Sequence, residues 1–322
     1  MEFRTEIVVK PSLYPLSYSS EVVSVGSCFA DVLASDLEAS KFNVVANPFG
    51  IIYNPLSIFK SLLPFQFCEA DFIQRDDSWY HLHSHSELSD ESLDKLHQKI
   101  VFKSNQLQSS LAAAKHLVIT LGTAWIYEYL QTHEVVANCH KLDASFFQKR
   151  LLSVGEIITS FKQFYLRLKQ INNKIHIVFT LSPVRHLKDT LPLNAVSKST
   201  LRLVCHELET TYADVSYFPA YELLVDDLRD YRFYTDDLLH PTPLAAKYIL
   251  QKFYDSYINQ SAASIRKQVQ EIHAAIAHRP FLVQSSAHQQ FLKQVLQKAK
   301  SLDQKVNMQL EIEALQSQLT DL

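Results

Sequence analysis

Residues 21–40 read EVVSVGSCFADVLASDLEAS. Val22, Val23 and Val25 form a β-branched run that stops at Gly26-Ser27-Cys28. Beyond it Phe29, Val32, Leu33 and Leu37 fall at helical spacing, so a strand gives way to a helix at Ser27. A side chain at such a turn stands at the edge of a sheet. The first N–H groups of the new helix, beginning with the Cys28 backbone N–H, have no partners within it and point toward the same place. A nucleophile with an oxyanion site beside it needs that geometry.

The same alternation continues down the chain. NVVA (43–46), HLVITL (116–121), IHIVFTL (175–181) and DVSYFPA (214–220) are short apolar runs that read as four more strands. Helical patterns lie between them, at PLSIFKSLL (55–63), DESLDKLHQKIVF (90–102), from the Ser153/Glu156 capping box onward, and around 197–211. Strands without polar alternation, each followed by a helix, predict a mostly parallel five-stranded sheet covered on both faces. In such sheets the ligand crevice lies at the carboxyl ends of the strands. Ser27, Gly50, Thr123 and Ser182 all end strands on this reading.

The composition sets the outer limits. The chain has 322 residues, 47% hydrophobic and 20% charged, and a formal charge of −3. That balance gives no reason to expect a nucleic-acid or anionic-membrane partner. No apolar run reaches the length of a membrane span, and MEFRTEIVVKP lacks the basic-then-apolar pattern of a secretory signal, so a cytoplasmic setting is expected. Cys28, Cys68, Cys139 and Cys205 form no C-x-x-C pair and read as reduced thiols. Average usage of about 7% would give about 23 glycines; the chain has 4. Gly26, Gly50 and Gly122 each follow an apolar run, where a Cβ is least tolerated.

A second informative stretch is DYRFYTDDLLHPTPL (230–244). Pro241 holds His240 extended, and Thr242 with Pro243 opens a helix, so His240 sits on a short, stiff loop. Asp237, three residues earlier, is placed to accept the His240 Nδ1–H, leaving Nε2 as a base toward a serine. Ser27 as nucleophile, His240 as base and Asp237 as orienter fill the three roles of a triad. The rival nucleophile, Cys28, is expected to turn into the core.

Gly26-Ser27-Cys28-Phe29-Ala30 spells the motif that names the GSCFA-domain family. The resemblance continues through GIIYNP (50–55), TLGTAW (120–125), NCHK (138–141), LSPVRH (181–186) and YFPAYE…DYRFYTDDLLHP (217–241), across roughly the first 255 residues. The family is grouped with the SGNH/GDSL hydrolases. That resemblance implies a flavodoxin-like three-layer α/β/α fold, an early serine after the first strand, and a late Asp-x-x-His, matched here by Ser27 and Asp237-Leu238-Leu239-His240. It also implies a glycine oxyanion donor after the second strand, for which Gly50 is the candidate, and a Gly-x-Asn after the third. Gly122-Thr123-Ala124 lacks that asparagine; Asn138 is the candidate replacement, and Thr123 stays a candidate by position. The implied function is ester hydrolysis or acyl transfer, on a small-molecule or carbohydrate ester, without a cofactor. The alternative is a non-catalytic or weakly catalytic binding module on the same fold, with the C-terminal helices docking a partner.

Several residues carry two readings. His81, His83 and His85 alternate, as metal ligands on one face of a strand can, or they form a solvated face with His85 alone reaching the crevice. His140 and His186 are site residues or hydrogen-bonded structural histidines. Arg185 either binds an anionic substrate group or pairs with an acid in 222–237. Beyond about residue 258 the pattern becomes purely helical. One helix is expected at SIRKQVQEIHAAIA (264–277) and a second, unbroken, over 286–319. The organisation expected is an α/β domain over 1–258 and a helical hairpin over 259–322, which offers a surface for a second copy of the chain.

Overall fold

The computed structural model describes residues 4–282 and 284–320. Eleven strands and ten α-helices follow one another among them. The strands are β1 (Glu21–Gly26), β2 (Asn43–Ala46), β3 (Phe72–Arg75), β4 (Ser78–His81), β5 (Ser89–Asp90), β6 (His116–Leu121), β7 (Trp125–Tyr129), β8 (Glu134–Val136), β9 (Phe147–Leu151), β10 (His176–Leu181) and β11 (Val215–Phe218). The helices are α1 (Cys28–Ala39), α2 (Pro55–Ser61), α3 (Leu93–Ala113), α4 (Val154–Ile171), α5 (Leu191–Thr211), α6 (Ala220–Glu222), α7 (Pro243–Tyr257), α8 (Gln260–Ala277), α9 (Ser286–Leu302) and α10 (Gln309–Thr320).

Five strands form one parallel sheet in the order β11-β10-β6-β1-β2. Counting only these strands the order is 5-4-3-1-2, the flavodoxin-like winding whose switch point lies between its first and third strands. β1 and β6 are those two.

Alternate residues feed opposite faces of the sheet. Val23, Val25, Leu117, Ile119, Ile177 and Phe179 join one core, with Leu107 of α3, Phe161 and Phe164 of α4 and Leu201 of α5. Val22, Val118, Val178 and Phe218 join the other, with Phe29, Leu33 and Leu37 of α1 and Phe253 and Tyr254 of α7. The apolar strands thus have both sides covered, and the three layers are α/β/α as expected.

Two small antiparallel sheets, β3-β4-β5 and β8-β7-β9, lie in the connections on either side of β6. The sequence suggests extended chain only in the first of these connections, around the alternating His81, His83 and His85. β4 ends at His81, and the chain then turns, with Ser84 N–H donating to the His81 carbonyl. His83 and His85 therefore do not continue one strand face with His81.

The helices after α7 form their own apolar cluster, built on Val269, Ile272, Leu292, Val295, Leu302, Met308, Ile312 and Leu315. Residues 286–319 are two helices, which corrects the expected unbroken one. The break lies where the apolar seam shifts: Asp303 Oδ1 accepts the Met308 N–H and Oδ2 accepts Gln309 Nε2, turning the chain between α9 and α10. Glu311 of α10 bridges Lys41 and His273, at 2.7 and 2.9 Å. No described helix is long and apolar enough to cross a membrane.

Candidate active site

Because the five strands are parallel, the chain leaves all of them along one edge of the sheet. Ser27 follows β1, the turn Asn47–Gly50 follows β2, Gly122-Thr123 follows β6, and Ser182–His186 follows β10. The convergence that the sequence suggests is therefore real at the level of topology.

Gly26 makes the turn at β1 feasible. Its φ is +125°, and a Cβ there would lie 2.1 Å from the Thr120 carbonyl oxygen. The Gly26 N–H donates to Asn47 Oδ1 at 2.7 Å, and Asn47 Nδ2 donates to Asp31 Oδ1 at 2.6 Å, one turn into α1. Ser27 is the N-cap of α1 by backbone, with φ −69° and ψ 168°, yet its hydroxyl caps no N–H. A purely capping role is thereby set aside.

The side chains at this turn are arranged oppositely to expectation. Ser27 is fully buried, whereas Cys28 is partly exposed. The cause is the Ser27 N–H, which donates to the Thr120 carbonyl at 2.9 Å and extends the β1–β6 pairing one residue further. Ser27 thus still belongs to the sheet, and the outward step falls on Cys28. Ser27 Oγ lies 3.7 Å from Cys28 Sγ. The Cys28 N–H donates to no acceptor among the described residues, so the donor assigned to it is free.

The second half of the candidate triad is assembled. His240 Nδ1 lies 2.5 Å from Asp237 Oδ2. Asp237 Oδ1 also accepts the Leu239 and His240 N–H groups and the Thr235 hydroxyl. These bonds hold the Asp237 carboxyl well below the usual carboxylate range, the backbone donors contributing most. Facing an ionised carboxylate, Nδ1 carries the proton and Nε2 the lone pair. Arg185 Nη2 donates to the Leu238 carbonyl at 2.5 Å, docking this loop on the segment after β10. No hydrogen bond joins Ser27 to His240; β6 lies between the strand that Ser27 follows and the one on which the His240 loop docks.

The other candidates separate. The Gly50 N–H is committed to the Asn47 carbonyl at 2.8 Å, which removes it as an oxyanion donor in this conformation; its φ of +75° closes that turn under His85. Thr123 is also structural: its N–H donates to the Tyr53 carbonyl, and its Oγ1 pairs with Ser197 Oγ at 3.0 Å. Asn138 closes a turn, its Oδ1 accepting the His140 N–H while its backbone N–H donates to the Leu82 carbonyl.

His140 is buried with both ring nitrogens engaged, by Ser86 Oγ and the His81 carbonyl, and is structural. His83 pairs with Asp71 at 3.2 Å, and His81 packs against Phe72 and meets the His83 ring edge-on. Among the described residues no group of three or more histidine, cysteine or acidic side chains is placed to hold a metal. His85 packs over Gly50 and sits in the field of Asp31, so it does border the β1 turn. His186 meets the Tyr53 ring edge-on, its Nε2 buried and unpartnered, and feels the charge of His240. Among the described residues Arg185 has no ion-pair partner; its guanidinium stacks on Tyr234, 4.3 Å from the ring centroid.

The sequence profile of the GSCFA family matches residues 21–253, most of the chain. The chain belongs to the GSCFA family. The profile of the GSCFA domain protein C-terminal domain matches residues 269–321, which span the second half of α8 together with α9 and α10. No curated protein matches the chain. Among solved structures, a carbohydrate esterase family 2 enzyme with a carbohydrate binding domain from Corynascus thermopiles (Myceliophthora fergusii) superposes with TM-score 0.37 and 12% identity, over 80% of this chain and 68% of that one. A carbohydrate esterase family 3 protein from Talaromyces cellulolyticus gives 0.34 and 9%, over 77% and 98%. An acetyl xylan esterase from the rumen bacterium Butyrivibrio proteoclasticus gives 0.37 and 9%, over 74% and 64%.

One group at this edge escaped the sequence reading. Lys198 of α5 is 2% exposed, and its Nζ donates to the Gly122 and Ser182 carbonyls at 2.9 and 2.8 Å. Its spacing from Asn194, Leu201, Cys205 and Leu208 is the available signal, because these residues define the sheet-facing stripe of α5.

The buried histidines of this GSCFA chain predict its acid response. Burial lowers His140 and His176 to about 4 and His81 to about 3, against an ordinary value of 6.5. Their folded-state values lie below the unfolded ones, so the unfolded chain binds more protons in that window. Stability is therefore full above about pH 6.5 and falls as the pH drops toward 4, by up to about 1.4 kcal/mol per pH unit for each histidine. Urea midpoints measured at pH 7 and pH 5 should differ clearly, the lower at pH 5; equal midpoints would contradict this assignment.

Proposed function

We propose that this GSCFA protein is a serine hydrolase or acyltransferase of the SGNH type acting on an ester, with Ser27, His240 and Asp237 in the three triad roles. The observation that carries the reading is the Asp237–His240 pair, held at 2.5 Å on a loop docked at the same edge of the sheet as the Ser27 turn. In the reaction Ser27 Oγ attacks the ester carbonyl carbon while His240 Nε2 takes the hydroxyl proton. The tetrahedral oxyanion takes a hydrogen bond from the Cys28 N–H, the C–O bond breaks, and His240 returns the proton to the leaving alcohol. Water or a second hydroxyl then removes the acyl group by the same steps in reverse. Because Ser27 is buried and unpaired with His240, the cycle includes a movement that uncovers the hydroxyl and brings Nε2 to it. Carbohydrate esters, whose O-acyl groups such enzymes remove, are the substrate class to try first, and Arg185 is the group for an anionic substituent.

A fluorophosphonate probe followed by peptide mapping tests this directly. Modification at Ser27, absent in Ser27→Ala, is the expected result; a wild-type chain that stays unmodified at Ser27 refutes it.

A second reading rests on the same burial. With Ser27 covered and the Gly50 N–H committed, the fold also suits a binding module without turnover. Hydrolysis of p-nitrophenyl acetate that disappears in His240→Ala excludes that reading.

A further inference from the structure

Three inward-facing polar residues of α5 tie down the loops that leave β6 and β10. Asn194 Oδ1 accepts the His186 N–H, Ser197 Oγ accepts the Ala124 N–H, and Lys198 Nζ spans the Gly122 and Ser182 carbonyls. Two of the three are neutral, and neutral groups suffice to pin a loop. Lys198 brings in a charge, and a buried ammonium without a carboxylate partner is costly to desolvate. The nearest acid in its field, Glu222, is already bonded to the Tyr217 hydroxyl and paired with Arg202 at 3.4 Å. The fourth side of the ammonium is the ring of Tyr221, 5.4 Å from its centroid. The remaining groups that feel Lys198 are Cys28 on α1 and His186 after β10.

We propose that Lys198 is a positioning residue of the site, setting the spacing of the two loops through their carbonyls and placing a buried positive charge at Gly122, two residues beyond the Thr120 carbonyl that holds the Ser27 N–H. Its value for catalysis rests on the hydrolase reading above; the buried charge does not. Burial lowers the lysine to about 7, so the charge is lost on passing through neutrality. A neutral amine keeps two N–H groups, enough for both carbonyls, so the clamp persists while the charge titrates.

Cys28 is the natural reporter, because it is the partly exposed side chain of the Ser27-Cys28 turn. The full-length chain is treated with iodoacetamide across about pH 5.5 to 9, and the rate at Cys28 is followed by peptide mass spectrometry. In the wild type the profile should show a second inflection near neutrality. In Lys198→Met, which keeps the chain length and removes the nitrogen, that inflection should vanish and the rate on the acid side should fall about fivefold. Superimposed profiles overturn the proposal. Should the variant fail to fold, 13C-lysine NMR of the wild type decides: the lysine signal that shifts on alkylation of Cys28 must titrate near neutrality, and titration at the ordinary lysine range overturns it. A Lys198-dependent thiol profile in a chain that fluorophosphonate leaves unmodified would refute the hydrolase and keep the charge.

Discussion

Replacing Gly26 by alanine should yield little or no folded protein. The new methyl group would sit 2.1 Å from the Thr120 carbonyl oxygen and on a backbone at φ +125°, where L-residues are strained. Thr120 is itself paired with Gly26 at the centre of the sheet, so neither partner has room to retreat. The only relief is to separate β1 from β6, which would break their pairing at this end and release the Ser27 N–H from the Thr120 carbonyl. A loss above about 4 kcal/mol is expected, a large part of the stability of an ordinary domain. Gly155→Ala is the internal control: nothing lies within 4 Å of the added carbon and the site is helical, so that variant should match or exceed the wild type by about 0.5–1 kcal/mol. Soluble yield, circular dichroism and urea midpoints of the two variants test the contrast. A Gly26→Ala protein with wild-type unfolding would show that the β1–β6 junction is not as drawn.

The second large effect concerns chemistry. His240→Ala should lower the rate of ester turnover, and of Ser27 phosphonylation, by about 10²- to 10⁴-fold, the usual worth of a positioned base. The side chain of His240 is 51% exposed and packs into no core, so the loss should leave the unfolding midpoint within error of the wild type. Asp237→Asn should cost nearly as much for a different reason: an amide offering its N–H to Nδ1 favours the tautomer with the proton on Nε2. If both variants keep wild-type rates, the Asp237–His240 pair is a loop fastener and Ser27 has no base.

How much of this was legible depends on which physical signal each element carries. The five sheet strands are apolar on both faces, and that uninterrupted character marks them within a residue or two, at 43–46 and 116–121 without error. The winding order followed from the resemblance and agrees with the hydrogen-bonded registers. β7, β8 and β9 are short, half-exposed strands without the uninterrupted apolar run that marks the central five. The turn between α9 and α10 was written in the sequence as a shift of seam at Val306–Met308; a run of good helix formers hid it.

At the site, the Asp237–His240 contact was readable because it spans three residues. What spacing could not supply was depth. Whether Ser27 or Cys28 faces outward depends on a single backbone hydrogen bond to Thr120. The commitments of Gly50 and Asn138 likewise come from turns that only the folded chain defines. Lys198 carries no signal of its own in the sequence, because lysine is usually a surface residue and the leucines and valine of its stripe alone mark the buried face of the helix.

The order of the strands also has a consequence for synthesis. β1 lies between β2 and β6, and about ninety residues separate its end at Gly26 from the start of β6 at His116. At about 5–20 residues per second, that interval lasts roughly 5–18 s on the ribosome. Throughout it, Val22, Val23 and Val25 have one possible neighbour and an open edge, with no partner yet made for the other side. The nascent chain therefore carries an apolar ribbon early and closes its second edge late; until β6 emerges, α1 and α3 can cover its faces but no strand pairs that edge.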